Sequence, residues 1–213
     1  IHRAKAGRGW QGCGMTLGKY YLLRHGETEW SLSGQHTGRT DIPLTENGRR
    51  RASEVAPMLA RVTFGLVLCS PMLRARDTAA LAGLTPDDYT DDLLEWNYGV
   101  YEGRTTAEIR RDKSDPDWVI WNNPIPNGET PSEVAVRCQA VLDRARPTIE
   151  EGRNVALVAH GHVLRILTAQ FLGLTADWGR LFQLDAGGIS VLGHERVQPV
   201  IAGWNINPDG LRD

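Results

Sequence analysis

Three short segments of the sequence carry arginine and histidine side chains that could do chemistry together. These segments are Arg24-His25-Gly26-Glu27, Ser70-Pro71-Met72-Leu73-Arg74 and His160-Gly161-His162. A guanidinium donates forked hydrogen bonds to phosphoryl oxygens, and a neutral imidazole is a competent nucleophile toward phosphorus. Nearby positive charges favour the neutral form of an imidazole. If these residues meet in the fold, they indicate phosphoryl transfer with His25 as the nucleophile.

Each of the three segments directly follows a short apolar run. The runs are Tyr20–Leu23, Leu66–Cys69 and Val155–Ala159, and each has the length of a buried β-strand. Helical patterns lie between them, which predicts βαβ units and a mostly parallel sheet. Ligands of such sheets bind beyond the carboxyl ends of the strands. We therefore expect the three segments to lie together at one edge of the sheet.

The starts of the first two helices are predicted from capping residues. Thr45 is expected to cap a helix that runs through about Leu59. Ser70 is expected to cap the next helix, with Pro71 in its first position. The N-termini of the helices that begin at Pro71 and Gly161 would then supply backbone N–H groups to an anion.

The expected fold is an α/β three-layer α/β/α sandwich with a mostly parallel central sheet. Residues 84–128 are irregular and predict a helical and loop insertion over the active site, with a short helix from Thr105. One domain is expected to span residues 15–213. Residues 1–14 are basic, glycine-rich and aperiodic, and are expected to be disordered or to be an added extension before a natural start at Met15.

Composition excludes several classes of protein. The 213 residues carry a net charge of −2, which lacks the basic excess of a nucleic-acid binder. No apolar stretch approaches the ~18 residues of a membrane span. None of the three cysteines forms a CxxC pair or has metal-site spacing, which favours a reducing, cytoplasmic setting. The expected partner is a small-molecule phosphomonoester, and the oligomeric state is left open, with a homodimer as one option.

A leaving alkoxide needs a proton, and Glu95 is the candidate donor. It lies within the 84–128 insertion, where a loop can bring it over the cluster of arginine and histidine residues. A carboxyl group in this position can protonate the leaving group and later take a proton from the attacking water. Tyr98 follows closely in the same insertion, and we expect it to line the substrate pocket, as we do for His36.

The same residues resemble the signature stretches of the histidine phosphatase superfamily, the phosphoglycerate mutase-like group. The first stretch is Leu23-Arg24-His25-Gly26-Glu27-Thr28. Further stretches agree in order and content: Thr37-Gly38 with Leu44-Thr45 and Gly48, Ser70-Pro71-Met72-Leu73-Arg74-Ala75, Glu95-Trp96-Asn97-Tyr98-Gly99 with Tyr101-Glu102-Gly103, Gly128-Glu129-Thr130 with Val134 and Arg137, and Val158-Ala159-His160-Gly161. The stretch that begins at Glu95 is most similar to the acid phosphatase branch.

The resemblance implies a role for each matching residue. His25 is implied to be the phosphorylated nucleophile and Glu95 the proton donor, and no metal or other cofactor is implied. The phosphate is implied to be surrounded by Arg24, Arg74 and His160. Substrate contacts are expected from a further set: Ser31, Thr37, Gly38, Tyr98, Gly161 and His162.

The sequence leaves two alternatives to a phosphatase open. The first is a cofactor-dependent phosphoglycerate mutase, but the lysine that the resemblance implies eleven residues past Glu95 is Thr106 here. The pair Arg110-Arg111 comes early relative to the carboxylate-binding arginines of the mutases. The second is a catalytically slow scaffold that binds phosphorylated ligands, for which loss of His25 or Glu95 would be the usual sign.

Overall fold

The computed structural model describes residues 16–208, so the expected extension at residues 1–14 lies outside the described residues. Six strands are present: β1 Tyr20–Arg24, β2 Phe64–Cys69, β3 Asp88–Tyr89, β4 Asn154–Ala159, β5 Ile189–Glu195 and β6 Gln198–Ile206. The α-helices are α1 Glu29–Ser33, α2 Glu46–Glu54, α3 Ala56–Leu59, α4 Leu73–Leu81, α5 Thr106–Lys113, α6 Pro131–Glu150 and α7 Gly161–Phe171. Short 3₁₀ turns cover Asp91–Leu93, Gly99–Tyr101 and Ala176–Leu181.

The strands form one sheet in the order β3-β2-β4-β1-β5-β6. Strands β3, β2, β4 and β1 pair in parallel, whereas β5 is antiparallel to β1 and β6 is antiparallel to β5. The expectation of a mostly parallel α/β sheet flanked by helices is confirmed. Strands β5 and β6 form an antiparallel hairpin at one edge of the sheet.

Each face of the sheet carries its own hydrophobic core. Leu22 packs into one core with the buried side chains of α6 and α7, whereas its neighbour Leu23 packs into the other with Val55 and Ala79. This alternation follows from the two-residue period of a strand. The central strands are apolar on both faces because helices cover both, and their carboxyl ends carry the site.

Two predicted helix boundaries are wrong. The helix expected through Leu59 is divided into α2 and α3, because Pro57 has no N–H to continue the helical hydrogen bonds. The next helix begins at Leu73 rather than Pro71, with Met72 as its N-cap and no side-chain cap. The Ser70 hydroxyl instead forms a hydrogen bond with the His160 ring.

The segment 84–128 is more ordered than its sequence suggests. Asp88 and Tyr89 form β3, which pairs with β2 at the edge of the sheet. The short helix predicted from Thr105 is present as α5, and Thr105 forms a capping box with Glu108. None of the helices within residues 16–208 is both long enough and apolar enough to cross a membrane.

Candidate active site

The three polar segments meet where β1, β2 and β4 end. Arg24 is paired with Ala159 across β1 and β4, and the His25 N–H donates to the Ala159 carbonyl at 2.9 Å. The Ser70 N–H donates to the Val158 carbonyl at 2.9 Å. The ring centroids of His25 and His160 are 5.1 Å apart. The backbone of the sheet thus brings the predicted cluster together.

His25 is held as a neutral imidazole with one nitrogen available. Its Nδ1 lies 2.7 Å from the Gly26 carbonyl oxygen, and because a carbonyl can only accept, Nδ1 carries the proton. The lone pair therefore resides on Nε2. Burial, then the positive charges of Arg74 and Arg24, lower the pKa of His25 well below its usual value. A buried, unprotonated Nε2 is the form that attacks phosphorus.

Arg74 is completely buried and binds the protein itself. Its Nη1 donates to the Thr40 carbonyl at 2.9 Å, and its Nη2 donates to the Gly38 carbonyl at 2.9 Å. Glu102 accepts hydrogen bonds from the N–H groups of the same segment, at Gly38 and Thr40. A cation and an anion thus hold residues 37–40 from two sides, so this arginine shapes the wall of the site.

The His160 ring is fixed at both nitrogens. Arg74 donates from Nε to His160 Nδ1 at 3.1 Å, so Nδ1 is the acceptor and Nε2 carries the proton. The Nε2–H then donates to Ser70 Oγ at 2.7 Å. This contact explains why Ser70 does not cap α4. Burial, followed by the charge of Arg74, lowers the pKa of His160 well below its usual value.

Arg24 differs from Arg74 because it keeps an unused donor. Its Nη1 donates a hydrogen bond to the Leu184 carbonyl. Its Nε is buried and has no partner among the described residues. A Cβ at Gly161 would lie 3.3 Å from Arg24 Nε and Cζ, so the glycine leaves room for the guanidinium. A buried N–H without a partner is costly and favours a ligand that accepts from it.

Glu95 occupies the N-terminus of α7. Its Oε1 accepts from the N–H groups of Trp96 and Val163, and its Oε2 accepts from that of His162, each at 2.9 Å. The sequence predicted that this helix N-terminus would bind the substrate anion; instead, its N–H groups hold a carboxylate of the protein. The interaction fixes Glu95 beside Gly161 at the base of the site.

These groups surround a cavity of about 210 Å³. The cavity is lined by eight of the predicted site residues: Arg24, His25, Ser31, Thr37, Glu95, Tyr98, Gly161 and His162. Arg74, His160 and Gly38 are not among its lining residues within 16–208 and support it from behind. His36 lines it as expected from the sequence.

Sequence reasoning missed further lining residues, namely Gly34, Gln35, Arg165 and Leu184. Arg165 follows His162 by three residues on α7, a spacing that places both on one helix face and could have identified it. It is oriented by Trp121, whose ring centroid lies 4.8 Å from Arg165 Cζ, and its Nε donates to the Gly179 carbonyl at 2.9 Å.

Some residues that were predicted to contact the substrate use their polar groups in hydrogen bonds within the protein. The Ser31 hydroxyl donates to the Thr28 carbonyl at 2.9 Å and accepts from the Thr28 N–H at 2.8 Å, which caps α1. The Gly38 N–H binds Glu102, and the Thr37 hydroxyl donates to the Gln35 carbonyl at 3.1 Å. Their polar groups therefore shape the wall of the cavity in this structure.

The opposite wall is neutral and aromatic. The Tyr98 hydroxyl and His162 Nδ1 form a short hydrogen bond. Burial raises the pKa of Tyr98 well above its usual value and lowers the pKa of His162 well below its own. The His36 ring lies 4.9 Å from the Tyr98 ring, and burial lowers the pKa of His36 to about 4. The cationic groups of the cavity are thus the arginines.

Within 16–208, no three His, Cys, Asp or Glu side chains are grouped so that they could hold a metal ion.

Comparisons with known proteins agree with this geometry. The family model described as the histidine phosphatase superfamily (branch 1) matches residues 20–207. An acid phosphatase of Mycobacterium tuberculosis is 40% identical over 176 residues, covering 82% of this chain and 85% of that protein. A sedoheptulose 1,7-bisphosphatase of Saccharomyces cerevisiae is 36% identical over 184 residues, covering 72% and 67% respectively. The solved structure of an open reading frame from Mycobacterium tuberculosis superposes with a TM-score of 0.85 at 36% identity, covering 90% of this chain and 98% of that chain.

Proposed function

The chain belongs to the histidine phosphatase superfamily, which supports a phosphatase function, and from that premise we propose that it hydrolyses phosphomonoesters through a phosphohistidine on His25. The observation that carries the proposal is the fixed tautomer of His25. Its Nδ1 is tied to the Gly26 carbonyl, which leaves the Nε2 lone pair without a partner, and Arg24, whose Nε is also unpartnered, lines the same cavity. A nucleophile and a phosphoryl-binding donor thus line one cavity.

In the first step, His25 Nε2 attacks phosphorus and the bond from phosphorus to the ester oxygen breaks. Arg24 Nε donates to a phosphoryl oxygen as negative charge develops there. Glu95 gives its proton to the leaving oxygen. We assign the proton transfer to Oε2, because it accepts one N–H group whereas Oε1 accepts two.

In the second step, water attacks the phosphohistidine and the P–N bond breaks. Glu95 now takes a proton from that water, which restores its acid form, and inorganic phosphate leaves. Arg74 and His160 act behind the cavity: Arg74 holds residues 37–40, and Arg74 and Ser70 keep the His160 imidazole fixed. The low pKa of His25 keeps its Nε2 unprotonated in acidic solution, which supports an acid phosphatase.

Features of the cavity wall favour a phosphatase over a phosphoglycerate mutase. The position of the expected mutase lysine is Thr106, whose hydroxyl lies 3.4 Å from Nε2 of the wall residue His36. A hydroxyl there supplies no charge for a substrate carboxylate. Arg110 donates to the Trp118 carbonyl at 2.9 Å instead of lining the cavity, and Arg111 is exposed. From the spacing of its three cysteines we also propose a reducing, cytoplasmic setting.

The test is hydrolysis of an aryl phosphate, p-nitrophenyl phosphate, combined with rapid acid-free quenching to trap the phosphoenzyme. We expect turnover that a chelator does not change and label on His25. His25→Ala should lower kcat by about 10⁴-fold or more with an unchanged melting temperature. The matched control is His194→Ala, a histidine outside the cavity. A labelled His25→Ala protein, or equal activity in both variants, would refute the nucleophile assignment.

A further inference from the structure

A second cavity adjoins the catalytic one. It has a volume of about 510 Å³, and Arg24 and Ser31 line both cavities. The catalytic cavity of about 210 Å³ is the smaller of the two, so a bulky leaving group can reach into the second cavity. Arg24 and Ser31 line both cavities, whereas Tyr98 and His162 line only the catalytic one. A leaving group that enters the second cavity therefore passes Arg24 and not the aromatic wall.

The second cavity has a positive lining. Arg50 and Arg51, both from α2, face it together with Arg24, against the two carboxylates Glu27 and Asp185. Three guanidinium groups meet two carboxylates in this lining, and Glu54 pairs with Arg50, so binding of an anion here depends on Arg50 exchanging that partner. The helix α2 plays no part in the reaction proposed above, so the reaction itself gives no reason for these arginines.

Both carboxylates of the lining already have partners. Glu27 accepts hydrogen bonds from Thr45 Oγ1 at 2.7 Å and from Asn47 Nδ2 at 3.1 Å. Asp185 accepts from Asn205 Nδ2 at 3.0 Å. These contacts stabilise the two negative charges locally, so they repel an incoming anion less than free carboxylates would.

Arg50 can exchange its partner at little cost. It pairs with Glu54 one turn along α2 and donates from Nη2 to Asn47 Oδ1 at 2.8 Å. The Arg50 side chain is 58% exposed, and an exposed pair of this kind contributes about 1 kcal/mol or less. An anion delivered by a bound substrate can therefore compete for its guanidinium.

Building on the proposed function, we propose that the second cavity is a subsite for a second anionic group of the substrate, a phosphate or carboxylate on the leaving group. The phosphoryl group to be hydrolysed binds at His25 and Arg24, and the distal anion binds at Arg50. The preferred substrate class is then a phosphomonoester with two anionic ends, rather than a simple monophosphate.

The test compares competitive inhibition of p-nitrophenyl phosphate hydrolysis by fructose 1,6-bisphosphate and by fructose 6-phosphate. Both compete whether or not they are hydrolysed. Arg50→Glu should weaken the bisphosphate by about fivefold or more and leave the monophosphate unchanged, since an exposed ion pair is lost. The preference of the native chain for the bisphosphate should also fall in 0.5 M salt, because screening weakens exposed charges.

The matched control is Arg49→Glu, at the neighbouring position of α2. Arg49 is paired with Asp77 on α4 and does not line the second cavity, so this variant carries the same charge change elsewhere. Equal inhibition constants for the two sugars in the native chain, or equal effects of Arg49→Glu and Arg50→Glu, would overturn the subsite. If p-nitrophenyl phosphate is not hydrolysed at all, the proposed function fails, and calorimetric titration of the two sugars still decides the subsite.

Discussion

Two parts of the site use the same residue types for different purposes. The part that follows β1, Arg24 and His25, retains groups that a substrate can use: the buried Nε of Arg24 and the Nε2 lone pair of His25. In the part built from Ser70, Arg74 and His160, the polar groups bind one another and the backbone. The first part is arranged for a ligand, and the second is a closed hydrogen-bond network.

The difference shows that residue type does not determine role. Arg24 and Arg74 look equivalent in the sequence, since each follows a strand end and suits a phosphoryl group. In the fold, Arg74 fixes residues 37–40 and the tautomer of His160, whereas Arg24 faces the cavity. A buried network has a large penalty when one member is lost, because its partners are left unsatisfied. The two parts should therefore respond differently to mutation.

The largest effects are expected from replacing each arginine by lysine. Arg24→Lys should lower kcat/KM by about 10²- to 10³-fold, the usual loss for a donor to developing charge, with little change in stability. Arg74→Lys should lower the free energy of unfolding by about 3 kcal/mol, since one ammonium cannot replace four fixed contacts. For both variants, kinetics with p-nitrophenyl phosphate measure kcat/KM, and urea unfolding measures the free energy of unfolding. Equal stability of the two variants would break the comparison.

The next effect tests Glu95, which accepts N–H groups at the N-terminus of α7, just after His160 in the chain. Glu95→Gln should lower kcat for an alkyl phosphate by about 10²-fold but spare an aryl phosphate, whose leaving group needs little protonation. The control is Glu102→Gln, because Glu102 also accepts backbone N–H groups but is not assigned a proton. This control should affect both substrates equally. An equal loss on both substrates for Glu95→Gln would contradict the general-acid role.

The convergence of the site could be predicted from the sequence because it follows from topology. Strands that run parallel end at one edge, so Arg24, Arg74 and His160 were placed together by their positions after apolar runs. Glu95 was a candidate because a loop of the insertion can bring it over the cluster, and the family resemblance supported its role, but nothing local fixes where that loop returns. Its contact with the N-terminus of α7 joins residues 67 positions apart along the chain.

Other features could not be predicted because long-range contacts override local signals. Ser70-Pro71 has the pattern of a helix start, but the Ser70 hydroxyl is taken by His160, 90 positions away. Strand β3 has only two residues and no period to detect; pairing with β2 creates it. The roles of Arg24 and Arg74 also separate only when their neighbours are known.

A smaller effect tests whether the network of the second part is closed. Ser70→Ala removes the acceptor of the His160 Nε2–H and leaves that buried group unsatisfied. The free energy of unfolding should fall by about 1–3 kcal/mol, as measured by urea titration. Ser53→Ala is the control, because Ser53 lies on the exposed surface of α2 and donates to the Arg49 carbonyl. If both variants are equally stable, His160 does not depend on Ser70.

The last effect is confined to acidic solution and concerns the cavity wall, where burial lowers the pKa of His36 to about 4 from an ordinary value of 6.5. Between these values the unfolded chain binds a proton that the folded chain does not. The free energy of unfolding should therefore fall as the pH drops from 6.5 towards 4.

Replacing His36 with phenylalanine keeps a ring against Tyr98 and removes the titrating group. This variant should flatten the dependence by up to about 1.4 kcal/mol per pH unit within that window and leave it unchanged above pH 6.5. Urea unfolding of both proteins at half-unit intervals measures the two slopes. Parallel slopes would mean that His36 is hydrated enough to take up its proton in the folded state, and the cavity wall would then contribute positive charge in acid.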